Sequence, residues 1–217
     1  NADCIAAMQS MPDKAYDLAI VDPPYGIGAD RCHTEGHGWT MRPKPGWDNA
    51  TPPQLYFEEL MRVSKNQIIW GGNYFSCGLP NSMGWVVWDK GQREFSLADA
   101  ELAYTSFDRA IRVFELSRAH SLLDAKSTGG RLHPTQKPVA LYKWLLKNYA
   151  KPNDRILDTH GGSCSSVIAA IDMGFSIDAY ELDPDYYAMA LKRIQTHELQ
   201  PRLIPNTPPT TEQTTLL

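Results

Sequence analysis

The chain has 217 residues, a formal net charge of -4, and 42% hydrophobic and 21% charged residues. That is long enough to bury one proper core, and the balance is that of a globular protein, which excludes a staple-dependent mini-protein and a disordered chain. The slight acidity excludes a broadly basic surface, so any nucleic-acid contact needs a local patch; no bilayer-length apolar run and no secretory leader is visible, which makes the cytoplasm the expected compartment.

In chain order, residues 17–21 (Asp-Leu-Ala-Ile-Val) form an apolar run closed by turn formers, the pattern of a buried strand. Asp22-Pro23-Pro24-Tyr25 follows at the strand end. Each proline fixes its own φ, lacks an N-H, and pushes the preceding residue toward extended geometry. The result is a stiff turn of acceptors without donors. The Asp22 carboxylate and the Pro23 carbonyl are suited to holding the two hydrogens of one amino group, with Pro24 stiffening the turn. Tyr25 adds a flat face for a base, a contact worth roughly 1–3 kcal/mol.

Residues 26–53 show no sustained period and read as a long loop, expected to be flexible and to meet substrate through Arg31, Trp39, Arg42, Lys44 and Trp47, or else to be a plain surface loop. Cys4, Cys32, Cys77 and Cys164 lack CxxC spacing and read as free thiols. Cys32, His33 and His37 form the one grouping worth weighing for zinc, but Gly36 and Gly38 argue against a shared helix face, so no metal is expected.

Leu55, Phe57, Leu60 and Met61 predict a helix ending near Ser64, with Thr51 as cap and Pro52 in its first turn. Strands are predicted at 67–70, 84–89 and 100–106, the first closed by Gly71 and Gly72. Residues 107–132 are the least regular part. They carry Arg109, Arg112, Arg118, Lys126 and Arg131 against Asp108, Glu115 and Asp124, the best place for phosphate contacts if DNA is bound.

His133-Pro134-Thr135-Gln136-Lys137-Pro138 precedes a helical pattern at Val139, Leu141, Trp144, Leu145 and Tyr149, with Pro138 expected in the first turn. Residues 155–158 read as a strand ending in Asp158, followed by the turn Thr159-His160-Gly161-Gly162-Ser163-Cys164 and a helix over 167–173 that Ser163, Ser165 or Ser166 would open. A strand, a glycine turn and a helix N-terminus form a cradle of the dinucleotide type. The next strand, 176–180, ends in Glu181, 23 residues beyond Asp158, matching the spacing of about 20 at which an acid meets ribose hydroxyls. A last helix over 185–195 lies behind Pro184, and residues 200–217 read as a disordered tail after one domain over 1–199.

Asp22-Pro23-Pro24-Tyr25 resembles the motif of S-adenosylmethionine-dependent amino methyltransferases, above all DNA adenine-N6 enzymes. The run from His133 to Pro138 is similar to the motif that precedes the cofactor-binding half in the permuted class, and there Lys137 or Thr135 would meet the cofactor carboxylate. The turn departs from the family's usual Asp-Pro-Phe-Xaa-Gly-Ser-Gly, with His160 in place of the aromatic and Cys164 in place of a glycine.

The motif order resembles the β class of amino DNA methyltransferases. That resemblance implies an α/β, Rossmann-like fold with a mostly parallel twisted sheet, helices on both faces and a permuted motif order. It implies catalysis by Asp22 to Tyr25 and cofactor contacts from Asp158, His160, Gly161, Gly162, Ser163, Glu181, Thr135 and Lys137. It also implies a homodimer acting on DNA; residues 107–132, the candidate target-recognition region, are short for such an element, so relaxed specificity or a contribution from a partner chain is expected. Adenine-N6 is the expected target; cytosine-N4 methylation, a catalytically silent DNA-binding subunit and protein-glutamine methylation are the alternatives. Intact Asp22 and Tyr25 argue against the silent subunit, and the glutamine family has Asn where this chain has Asp22.

Overall fold

The computed structural model describes residues 1–29, 46–93, 98–133 and 135–200. Cys32, His33 and His37, the loop residues Arg31, Trp39, Arg42 and Lys44, and the tail beyond Gln200 lie outside them. Among the described residues seven strands form one sheet: β1 (Tyr16–Val21), β2 (Ser64–Trp70), β3 (Trp85–Asp89), β4 (Ala100–Thr105), β5 (Arg112–Glu115), β6 (Arg155–Asp158) and β7 (Ser176–Ala179), in the order β5-β3-β4-β2-β1-β6-β7. β1 pairs in parallel with β2 and β6, β6 with β7, and β3 with β5. β4 runs antiparallel to both β2 and β3, so it brings its first residues, not its last, to the edge where the parallel strands end.

Helices α1 (Cys4–Gln9) and α2 (Gln54–Val63) cover one face, and α4 (Val139–Tyr149) and α5 (Ser165–Met173) the other. The period of two in β1 divides the core accordingly. Leu18 and Ile20 pack with Leu141, Leu145 and Ile168, while Ala19 and Val21 pack with Met8, Tyr56 and Leu60. Two further helices, α3 (Arg118–Ser127) and α6 (Pro184–Glu198), lean on α4 and α5. After β1 the chain turns toward β2, whereas β6 lies on its other side. The crevice at the carboxyl ends of β1 and β6 is therefore the topological switch point, where open α/β sheets bind ligands.

Several local expectations are corrected. Residues 107–132 contain β5 and α3 rather than irregular chain. α3 escapes a periodicity reading because Ala125 is its buried residue and Leu122 and Leu123 are exposed; Ser117 caps it by accepting from the His120 N-H. Pro53, not Thr51, is the cap of α2. Pro138 precedes α4 as its cap and has no side-chain acceptor, so the Asp124 carboxylate of α3 accepts from the Val139 and Ala140 N-H groups at 2.7 and 3.2 Å. α5 is opened by Cys164 in the left-handed region at φ 55°, with no serine capping it. The serine hydroxyls are used elsewhere, Ser166 on Asp158 and Ser165 on Ser163 and Arg193. Among the described residues no helix is long and apolar enough to cross a membrane, and no His, Cys, Asp and Glu group has metal-site geometry.

Candidate active site

β1 delivers Asp22 to the crevice at the end of a strand buried from Leu18 to Val21. Its carboxylate accepts from the Tyr25 hydroxyl at 2.6 Å and pairs with Lys137 Nζ at 2.5 Å. Lys137 is buried, and its ammonium also donates to the Tyr25 oxygen at 3.0 Å and lies 3.1 Å from Glu101 Oε2. Glu101 is the second residue of β4, the antiparallel strand, and its other oxygen pairs with Lys90 at 2.6 Å. Lys137, expected at the cofactor carboxylate, thus stands between Asp22 and Glu101, and the exposed Thr135 hydroxyl lies 3.1 Å from His133 Nδ1.

The electrostatics follow from this burial. Desolvation pushes the Asp22 carboxyl above its ordinary range against the pull of Lys137. Glu101 is also largely buried, yet Lys137 and Lys90 together outweigh desolvation and bring it down to about 2. Burial and then the Asp22 charge drive the Tyr25 phenol well above 10, so it stays protonated and donates.

The Tyr25 ring stacks on Tyr74 with centroids 5.0 Å apart and planes 16° apart. The ring can lie there because Gly71, at φ 73°, has no side chain; a Cβ would come within 2.2 Å of Tyr25 Cε1. Asp48 anchors the foot of the long loop, its buried carboxylate accepting from the N-H groups of Gly26 and Ala29, both at 2.8 Å. Trp47 beside it packs on His133, whose ring packs in turn on Tyr186.

The glycine turn follows β6. The Asp158 carboxylate points inward, accepting from the His160 N-H at 3.0 Å and the Ser166 hydroxyl at 2.5 Å, and burial raises it to about 6. It braces the turn from beneath. His160 sits against Thr159 and Tyr56, and burial lowers it to about 4, so it is neutral at physiological pH. Gly161 donates its N-H to the Tyr180 carbonyl at 2.7 Å. Gly162, at φ 52°, turns its α-carbon toward the His133 ring, 3.8 Å from where a Cβ would stand. Glu181 accepts the Gly162 and Asp183 N-H groups on separate oxygens, both at 2.8 Å, and exposed Leu182 follows it.

Sequence reasoning missed three polar residues here. Glu101 sat inside a strand pattern, and Asp124 inside a stretch read as irregular. Arg193 of α6 is buried and donates to the Ser163 and Thr128 carbonyls, both at 2.7 Å, and to the Ser165 and Thr128 hydroxyls. A lone arginine among the apolar positions of a predicted helix was the available signal.

A family model described as DNA methylase, for N6 and N4 methyltransferases, matches residues 69–192, more than half of the chain. This chain belongs to the DNA methylase family. It is 24% identical to the DNA adenine methyltransferase YhdJ of Escherichia coli K12, over 89% of this chain and 81% of that one. Two solved structures share the fold. The M1.HpyAVI–SAM complex has a TM-score of 0.53 at 17% identity, covering 89% of this chain and 97% of its own. The cytosine-N4-specific PvuII DNA methyltransferase has a TM-score of 0.59 at 14% identity, covering 94% and 86%. The methylase uses S-adenosylmethionine. Its residues fit that group: Gly162 leaves the turn open beside the cradle, and the Glu181 oxygens, each engaged by one N-H, keep lone pairs for hydroxyls.

Proposed function

We propose that the methylase transfers a methyl group to the N6 amino group of an adenine flipped out of DNA. The reading is carried by the Asp22 carboxylate, held by the Tyr25 hydroxyl at a strand end next to the glycine turn after β6. S-adenosylmethionine supplies a sulfonium-bound methyl group that a nucleophile can take. An exocyclic amine is a poor nucleophile because its lone pair is delocalised into the ring. Asp22 and the Pro23 carbonyl, accepting the two amino hydrogens, would favour the tetrahedral nitrogen that attacks, and so stabilise the transition state more than the ground state. Pro24 keeps the turn rigid. The base must leave the duplex to reach this crevice, and would replace Tyr74, 45% exposed, against the Tyr25 ring.

On the cofactor side Glu181 would accept the ribose hydroxyls, Leu182 would lie against the adenine ring, and Gly161, Gly162 and Ser163 would admit the cofactor to the turn that Asp158 and His160 brace. Thr135 would meet the carboxylate end. Lys137 belongs with Asp22 in this reading, since that is where its ammonium lies. Residues 26–53 would meet the substrate, and β5, α3 and their flanks, with Arg109, Arg112, Arg118 and Arg131, would contact DNA phosphates and the target sequence. A homodimer acting in the cytoplasm completes the proposal.

Adenine is favoured by the relative named as an adenine methyltransferase and by Asp, the residue leaning toward adenine, at the first motif position. The test of the site is Asp22→Ala assayed with labelled cofactor on DNA. Transfer should be lost while cofactor affinity stays within a few-fold; an active variant would refute the assigned role.

A further inference from the structure

Lys137 has three ammonium hydrogens and three acceptors, Asp22 at 2.5 Å, Tyr25 at 3.0 Å and Glu101 at 3.1 Å. It also lies over the Tyr25 and Trp70 rings, at 5.5 and 5.2 Å from their centroids. We infer that Glu101 is a positioning residue for methyl transfer, sharing the Lys137 ammonium so that the Asp22 carboxylate keeps acceptor capacity for the substrate amino group. The inference rests on the reading of Asp22 given above.

The argument is one of charge and reach. Nitrogen gains positive charge as it takes the methyl group, and a preorganised negative environment stabilises that change. Asp22, Lys137 and Glu101 together carry one net negative charge. Without the Glu101 charge the sum is zero, and the undivided ammonium falls on the carboxylate the amino group needs. Lys90, on the far Glu101 oxygen, balances the second acid from outside the cluster. Glu101 suits this role because β4 runs against its neighbours and places an early strand residue at the crevice, where a parallel strand would place its last. Its other side opens on a cavity of about 110 Å³ whose lining includes Lys90, Arg118 and Arg131.

The charged and titratable groups facing the pair are Lys137, Lys90, Tyr25, Tyr142 and Asp158, with Tyr56 also within the field of Asp22. Within the pair, Glu101 acts to raise the Asp22 carboxyl. Glu101→Gln should therefore have two effects of different kind. Single-turnover transfer to DNA at the pH optimum should fall by roughly 10- to 100-fold, the range typical when an orienting partner is removed. The acid limb of the pH–rate profile should move to lower pH, because the acid that raised Asp22 is gone. Cofactor affinity should stay within about twofold, and Glu101→Asp should recover much of the rate with the limb at its wild-type position. A purely structural residue would lower the rate without that shift. The inference is overturned if Glu101→Gln matches the wild type, or if its rate falls with an unmoved limb and Glu101→Asp does no better. A wild-type chain inactive on DNA would instead overturn the functional reading, and this one with it.

Discussion

Replacing Lys137 by Met removes the one ammonium that Asp22 and Glu101 share, in a site where the lysine side chain is only 2% exposed. Methionine fills similar volume, so the loss is chiefly electrostatic. Breaking a buried pair by deleting one partner costs about 3–5 kcal/mol. For a chain of this size each kcal/mol lowers Tm by about 2–4 °C, which gives a drop of roughly 6–20 °C near neutral pH. The drop should depend on pH in a definite sense. Glu101 keeps Lys90, whereas Asp22 is left with burial and the Glu101 charge, both of which raise its carboxyl. A group whose folded value lies above its unfolded one, about 3.9 for Asp, stabilises most below the unfolded value and loses that contribution as pH rises through the folded value. At pH 5 Asp22 can take up a proton and relieve the site; at pH 8 it is held ionised without a cation, with the Tyr25 hydroxyl as its remaining partner. Thermal melts of both proteins at the two pH values should show the larger difference at pH 8. Equal differences, a larger one at pH 5, or a loss below about 1 kcal/mol, the scale of an exposed pair, would refute the reasoning.

Gly71→Ala places a Cβ 2.2 Å from Tyr25 Cε1, a clash that shifting the ring would relieve, on a backbone at φ 73° whose strain of about 1–3 kcal/mol stays. Turnover should fall tenfold or more with cofactor affinity unchanged, and wild-type kinetics would contradict the placement of Tyr25. Arg193→Met leaves the Thr128 and Ser163 carbonyls without their guanidinium donor and loosens the turn from α3. The cofactor Kd, measured by calorimetry, should rise about tenfold, or about 1.4 kcal/mol; an unchanged Kd would mean the turn holds its shape alone.

The parts of this architecture visible in the sequence are those written in short-range pattern. β1 and β6 show as apolar runs closed by turn formers, and Glu181 is placed by counting from Asp158 to the next strand end. What escapes is the choice of distant partners. Lys137 stands in a motif that marks its segment, but nothing local says its ammonium turns to Asp22, 115 positions earlier, rather than to a cofactor. Glu101 becomes informative only once β4 is known to be antiparallel. Asp124 caps α4 from another helix because Pro138 has no acceptor of its own. The serines after Gly162 look like caps, yet Asp158, Ser163 and Arg193 take their hydroxyls, and a left-handed cysteine opens α5 instead.

The central claim is that the amino group held at Asp22 belongs to adenine in DNA. It is tested by incubating the methylase with labelled S-adenosylmethionine and duplexes of defined composition, digesting the product to nucleosides and separating them. Label in N6-methyladenine, absent when Asp22 is Ala, is the predicted result. Label in N4-methylcytosine would keep the mechanism and overturn the base, and label in neither would contradict the account.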